Sequence, residues 1–512
     1  MVTKQIKTLT HQLLELTLKL AVFVCFFIYV PNFLSSPVSR PPYFYDQDNF
    51  FTIFHQLSLN ASLYSEVYDH KDFIFFYIYG CAYYIWGANG PIILETALSI
   101  SILYLLFRLW HILKLEWYVQ FLLSALFILY YFSERVYAPV LTYHLGCFFY
   151  LCALISSLNN KPKMAGALLA AMIFTKMSLV PLAGSVVWAA FYCLQGNGEP
   201  HAKAKAYVMK WWAKLVLATT AVTSVFMAIL SLRDEFNLYW TRAVYYNLFE
   251  YEKLGGAYVI RFLDIFLATF GTWWAIGLCA MTGIAMLLAI YKLLKKNADT
   301  QFVWAGMITL IGGGTLVILY KVHRGYHHFD FAGLTYILLI GFAIALFAQT
   351  IINPAKMRLL TMAFIGVVGI LPLLLSPSLL NHIQNIQLSQ LNYLTKYQSM
   401  EEIDNPMYTC LNDNGALKPN NGFMILNAGT AGMVSSEKAS CRFIFYLPWA
   451  SDRDRQDLFK CIESPRIKWL IQGPFPMPVP EFEMQFASAV KQNFEQVATC
   501  NASMPVTLWR RK

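Results

Sequence analysis

Residues Tyr43 to Lys71 read YFYDQDNFFTIFHQLSLNASLYSEVYDHK and gather Asp46, Asp48, Glu66, Asp69, His70 and Lys71, in a chain of which only 13% of residues are charged. One hydrophobic segment precedes this stretch and another follows it. Ionisable groups so close to hydrocarbon are costly unless they face water or a polar ligand. The stretch therefore reads as the heart of an active-site loop, residues 37–89, at a membrane surface.

The rest of the chain agrees with a membrane setting. Hydrophobic residues make up 57% of the 512 and aromatic residues 16%, and the mean hydropathy is +0.47, far from the values of a soluble domain. The N-terminus places Lys4 and Lys7 before an apolar run, as a signal peptide does, but no small-x-small cleavage site follows. It reads as an uncleaved first transmembrane helix. Apolar runs fit to cross ~30 Å of hydrocarbon fall at 13–35, 90–112, 116–133, 137–158, 163–177, 179–195, 213–232, 264–291, 302–321, 331–350 and 358–377, which predicts about 11 transmembrane helices. Basic residues alternate with them: Lys4, Arg108, Lys114, Lys161, Lys163, Lys203, Lys205, Lys210, Lys214, Lys292, Lys295, Lys296, Lys356 and Arg358 all fall on one side. The positive-inside rule makes that side the cytoplasm. The net charge of +10 is then an orientation signal and gives no support to a nucleic-acid partner. The opening loop, the segment 233–262, the HRGYHH stretch and the tail are expected on the opposite, external face.

Residues 1–377 thus read as a transmembrane domain and 378–512 as a small external α/β domain, with strand-like runs at 423–426 and 467–472 and a helix-like stretch from Glu481 to Val497. Cys410, Cys441, Cys461 and Cys500 form an even set in this tail and fit two disulfides in an oxidising compartment, with three pairings open. Their spacing lacks the CxxC pairs of a zinc ribbon. The sequence has no 20–50-residue repeat, phosphate-binding P-loop, G-x-S-x-G elbow or H-E-x-x-H helix. ATP-driven transport and metalloprotease chemistry lose support accordingly.

Within the opening loop, Asp46-Gln47-Asp48, Tyr64-Ser65-Glu66 and Asp69-His70-Lys71 together resemble the first external loop of GT-C fold, polyprenyl-phosphate-sugar-dependent glycosyltransferases, of the bacterial membrane mannosyltransferase and aminoarabinose-transferase type. Asp46 takes the place of the family's catalytic aspartate, and Asp69-His70-Lys71 that of its D-H-K. Ser133-Glu134 is similar to the family's N-x-E-x-F, Phe174-Thr175-Lys176 to its L-T-K, and Arg324-Gly325-Tyr326-His327-His328-Phe329 to its R-x-F-x-H-Y. The chain departs from the pattern at Asp72-Phe73, where G/P-P is usual.

The resemblance implies transfer of a sugar from a polyprenyl-phosphate donor to an acceptor hydroxyl on a lipid, glycan or protein. The protein is expected in the bacterial inner membrane with its site facing the periplasm. No cofactor is called for, although a divalent metal ion is compatible. In such a site Asp46 serves as general base, with Asp48 as the alternative or as a second carboxylate. Asp69, His70, Lys71, Glu134, Lys176, Arg324 and His328 hold the substrate and the departing phosphate. The same chemistry follows from the residue types: one carboxylate makes the acceptor hydroxyl more nucleophilic, and fixed cations stabilise the leaving phosphate. A single base implies inversion at the anomeric carbon, whereas a double displacement needs a second carboxylate.

Plainer roles compete. Asp46 has the position of an N-cap for a helix beginning at Asn49, and Asp69 that of a cap for the aromatic run from Phe73 to Trp86, which suits an interfacial helix. Glu95 and Asp264 read as structural residues at hydrated helix ends. The alternative function is a transporter or flippase of a lipid-linked saccharide, for which polar groups near the bilayer midplane and paired repeats are expected.

Overall fold

A computed structural model of the chain describes residues 16, 45–67, 69, 71–134, 142–196, 201–250, 277–295, 299–321, 330–350, 361–370, 405–418, 421–428, 438–443, 452–475, 480–501 and 505–512. It is mostly helical. In chain order the helices that matter here are α1 (Tyr45–Ser58), α2 (Phe73–Trp86), α3 (Gly90–Ile112), α4 (Trp117–Glu134), α5 (Thr142–Leu158), α6 (Pro162–Thr175), α7 (Ala183–Gly196), α8 (His201–Leu232), α9 (Gly277–Leu294), α10 (Thr300–Lys321) and α11 (Asp330–Thr350).

Among the described residues, five segments are long and apolar enough to cross a membrane: Gly90–Ile112, Met177–Gln195, Lys205–Leu232, Gly277–Leu294 and Thr300–Leu319. The chain is a helical membrane protein. Of the predicted crossings, 13–35 lies outside the described residues apart from residue 16, as do parts of 137–158, 264–291 and 358–377. Burial sorts the helices into layers, since 72% of an apolar 18-residue stretch of Thr300–Leu319 is buried against 11% of the corresponding stretch of Lys205–Leu232. The former is central, and the latter turns Val216, Leu217, Val225 and Ile229 outward, as a helix facing lipid does.

Local chemistry stops the helices where the bundle needs them to turn. Asn60, Lys114, Asn160 and Asp234 all have positive φ, and in each case the next N–H reaches back to the carbonyl five residues earlier: Ala61 to Gln56, Leu115 to Trp110, Lys161 to Ser156 and Glu235 to Leu230. These are Schellman-type closures. Pro162 then opens α6, at a position where its missing N–H costs nothing.

The predicted break near residue 178 is a true reversal. Tyr150 meets Ser185 at 2.8 Å, and the Cys193 thiol meets the Ser157 carbonyl at 3.1 Å, so α7 runs alongside α5 in the same direction. The intervening α6 must run the opposite way. Between α6 and α7 the chain passes through extended Lys176 and a 3-10 turn, Met177–Leu182, that contains Pro181. Helix α8 comes back along α6, with Tyr207 bonded to Asn160 at 3.0 Å and Phe226 against Phe174 at 5.2 Å. Gly166 makes that approach possible, because a Cβ there would lie 2.2 Å from the Leu215 carbonyl oxygen. One end of the bundle consequently collects residues 64–67, 69, 71–72, 142–144, 175–178, 235–242 and 331.

The tail carries a four-stranded sheet of order β1-β2-β4-β3, with β1 (Phe423–Leu426), β2 (Trp469–Gln472), β3 (Phe494–Asn501) and β4 (Pro505–Arg511). β1 and β2 are parallel, joined through the helix Asp452–Glu463, and β3 and β4 form an antiparallel pair with an irregularity between Gln496 and Ala498. All four residues of β1 are buried, as in a strand covered on both faces. Met424 and Leu426 pack with Leu458, Ile462, Phe482 and Phe486. Phe423 and Ile425 instead belong to the core that continues into the membrane helices. The predicted helix 481–497 is shorter, Pro480–Asn493, because Phe494 begins β3. β4 has no counterpart among the strand-like runs of the sequence. The two disulfides are Cys410–Cys500 and Cys441–Cys461.

Candidate functional site

Among its described residues the opening loop contains two helices. Asp46 and Asp48 lie in the first turn of α1, which begins at Tyr45. Asp46 is therefore inside the helix, and the reading of it as a cap for a helix starting at Asn49 is corrected. The side chains of Asp46 and Asp48 fall outside the described residues. Their positions are two residues apart, about 200° around the axis. Asp46 stands one turn before Phe50, whose ring carries the Lys71 ammonium at 4.6 Å. That is a cation–π contact.

Beyond α1 the chain is tied into a tight knot. Tyr64, with φ 67°, is fully buried. Its N–H bonds to Val67 O at 2.7 Å, its hydroxyl donates to Lys71 O at 2.7 Å, and its carbonyl accepts from the buried Arg242 guanidinium. Burial among carboxylates and other tyrosines drives the Tyr64 hydroxyl well above the ordinary phenol range, so it stays a donor. Asp69 accepts the Lys71 N–H at 2.8 Å and lies 3.7 Å from the Lys71 ammonium. It caps the turn before Lys71, and the N-cap position of α2 belongs to Asp72. The cap reading of Asp69 for α2 is corrected as well.

Asp72 is the residue on which three segments meet. Its carboxylate is buried, accepts the Met177 N–H at 3.0 Å and accepts the Tyr239 hydroxyl at 3.3 Å. Burial raises its carboxyl to about 6, while the Met177 N–H and the nearby Lys176 charge act in the opposite direction. The Lys176 ammonium rests over the Tyr143 ring at 4.7 Å. Lys71 and Lys176, far apart in sequence, thus each immediately precede in the chain one partner of a single buried bond. Phe73, Phe174 and Tyr239 pack around it.

Two further carboxylates support this end of the bundle. Glu235, wholly buried, takes the Tyr77 hydroxyl on both oxygens at 3.1 and 3.0 Å and the Arg233 Nε at 3.3 Å; burial raises its carboxyl from the usual value. Glu95 is wholly buried too. It accepts the Tyr79 hydroxyl at 2.5 Å and pairs with His144 Nδ1 at 3.0 Å. This overturns the reading of Glu95 as a hydrated helix end. At the rim, Glu66 accepts Ser62 N–H at 2.8 Å and pairs with Lys438 at 3.1 Å, while Gln56 Oε1 accepts Ala439 N–H at 2.8 Å. Through these bonds the tail sits on the opening loop.

Of the predicted site residues, the structure brings Asp69, Lys71 and Lys176 to one end. Glu134 closes α4 with its side chain outside the described residues, and His70, Arg324 and His328 lie outside them altogether, as does Asp264. Among the described residues no group of three His, Cys, Asp or Glu side chains is placed to hold a metal ion. Sequence reading passed over Asp72, Tyr239, Arg242 and the Glu95–His144 pair as site residues. Only Asp72 left a signal, as an acidic residue in the place where glycine or proline is usual.

No family model matches the chain, and no curated protein matches it either. Among solved structures, it is similar to the archaeal oligosaccharyltransferase AglB from Archaeoglobus fulgidus, in complex with an inhibitory peptide and a dolichol-phosphate. The identity is 10% and the TM-score 0.47, over 96% of this chain and 74% of that one. It is also similar to ArnT from Cupriavidus metallidurans bound to undecaprenyl phosphate, with 12% identity and a TM-score of 0.47, over 98% of each chain.

Proposed function

We propose that the protein is a membrane glycosyltransferase that moves a sugar from a polyprenyl-phosphate donor to an acceptor hydroxyl at the end of the bundle where residues 71–72 meet 175–178. The observation that carries this reading is the Asp72–Met177 bond, which fastens the segment bearing Lys71 to the segment bearing Lys176. Two cation-bearing segments fastened together at a membrane protein's polar end suit a lipid phosphate, whose charge grows as the sugar departs. A transporter would place such groups near mid-bundle.

In the proposed reaction the acceptor oxygen attacks the anomeric carbon, and its proton passes to the carboxylate of Asp46, with Asp48 as the alternative base. The bond from the anomeric carbon to the phosphate oxygen breaks, and its electron pair leaves on the phosphate. Lys71, Lys176 and Arg324, with His70 and His328, meet that charge. Asp69 fixes the Lys71 backbone, and Glu134 contributes to substrate binding. Attack by a single nucleophile inverts the anomeric carbon. The acceptor belongs to a lipid, glycan or protein, and the site faces the periplasm. The reading needs no cofactor.

Exchange of Lys71 or Arg324 for methionine tests the phosphate side. Each variant is expected to fold and to lose roughly 10²-fold in donor use, in line with the loss of one fixed electrostatic contact. Turnover at the parent rate in both, measured as release of polyprenyl phosphate, would reassign them to headgroup anchoring.

A further inference from the structure

Met177 opens a 3-10 turn, and the N–H groups that open a helix have no partner within it. A Ser, Thr, Asp or Asn at the preceding position ordinarily supplies one. Here that position is Lys176, in extended conformation with φ −158° and ψ 90°, and its side chain makes no capping bond. The cap comes instead from Asp72, 105 residues away in the chain, whose Oδ2 accepts the Met177 N–H at 3.0 Å. The other oxygen takes the Tyr239 hydroxyl, so the carboxylate is oriented from two sides. The residues flanking Met177 both grip Tyr143: the Lys176 ammonium over its ring at 4.7 Å, and the Ser178 hydroxyl on its phenolic oxygen at 3.3 Å. Asp72 therefore fixes the middle of a three-residue clamp whose first member is the cation.

We propose that Asp72 is a positioning residue for Lys176, supplying from another segment the cap that sets this lysine to receive a lipid phosphate. The inference rests on the reading of Lys176 as a phosphate contact. The carboxylate is surrounded by Lys176, Tyr239, Tyr64 and Asp69. Burial holds its carboxyl near 6, which leaves it mostly ionised at neutral pH and a strong acceptor for the Met177 N–H.

The test is binding of farnesyl phosphate to the purified full-length protein in detergent, with farnesol as the uncharged comparator. Lys176→Met is expected to weaken farnesyl phosphate about tenfold and to leave farnesol unchanged. Asp72→Ala is expected to give a similar loss, and the double variant no further loss, because coupled residues do not add. Asp72→Asn keeps a carbonyl oxygen for the Met177 N–H and is expected to recover most of the affinity. Tyr239→Phe removes one of the two bonds that orient Asp72 without altering the lysine; it is expected to weaken binding about threefold in the parent and not at all alongside Lys176→Met. This second variant decides the matter if Asp72→Ala does not fold.

If Lys176→Met binds as the parent does, Lys176 is not a phosphate contact and the inference falls with that reading. If Lys176→Met weakens binding but Asp72→Ala and Tyr239→Phe do not, or if their losses add to that of Lys176→Met, the phosphate reading stands and the positioning role is overturned. Equal losses for Asp72→Asn and Asp72→Ala also overturn it.

Discussion

Asp46→Asn is expected to abolish sugar transfer, by about 10²–10⁴-fold, while Asp48→Asn only weakens it. Asparagine keeps the size of the side chain and one acceptor oxygen but does not take a proton from the acceptor hydroxyl. Both residues sit in the first turn of α1, where an uncharged polar group is tolerated, so neither exchange is expected to unfold the helix. The two are distinguished by position. Asp46 is one turn before Phe50, the residue under the Lys71 ammonium, and Asp48 is about 200° around the axis from Asp46. Donor affinity is expected to survive in both variants, because the proposed phosphate contacts lie on other segments. The check is single-turnover transfer alongside farnesyl phosphate binding. A dead Asp48→Asn with an active Asp46→Asn moves the base by two residues, and normal turnover in both removes the single-carboxylate mechanism.

Glu95→Ala is expected to be the most destabilising single exchange at this end of the bundle. Glu95 is wholly buried and holds the Tyr79 hydroxyl and the His144 ring, linking α2, α3 and α5. Removing one partner of a buried polar set deprives the others of that bond, a loss of about 3–5 kcal/mol for charged pairs. Glu95→Gln retains an oxygen for Tyr79 and an amide for a neutral His144 ring, and is expected to cost a fraction of that. Thermal unfolding in detergent reads both. An alanine variant that unfolds with the parent would contradict the buried-network account and return Glu95 to the role of a hydrated helix end.

Much of the bundle is legible in the sequence because apolar runs of crossing length have few other uses. The reading of 90–112 matches α3, and the break at Lys176 is visible as a lysine followed by Ser178 and Pro181 between two apolar runs. The polar end is legible only in part. Asp69 and Lys71 stand in a dense local cluster, but Glu95 is a lone acid in the first half of an apolar helix, and its partners Tyr79 and His144 are 16 and 49 residues away. Nothing local to Glu95 separates burial from hydration. Asp72 is similarly opaque, since its role depends on the N–H of a residue on another segment. The disulfides show the same limit. Four cysteines declare themselves in the tail, but the choice of Cys410 with Cys500 waits on β3, and Phe494 to Val497 carry helix and strand signals alike.

The central claim is that this membrane protein breaks the bond between a sugar and a polyprenyl phosphate. The most direct test reconstitutes the full-length protein in liposomes containing polyprenyl-phosphate-linked sugars and bacterial envelope extract as acceptor, and follows free polyprenyl phosphate and glycosylated acceptor by mass spectrometry. The account predicts that both products appear in equal amounts with the parent protein and neither with Asp46→Asn. Intact donor crossing the bilayer with no release of polyprenyl phosphate would contradict it and establish transport instead.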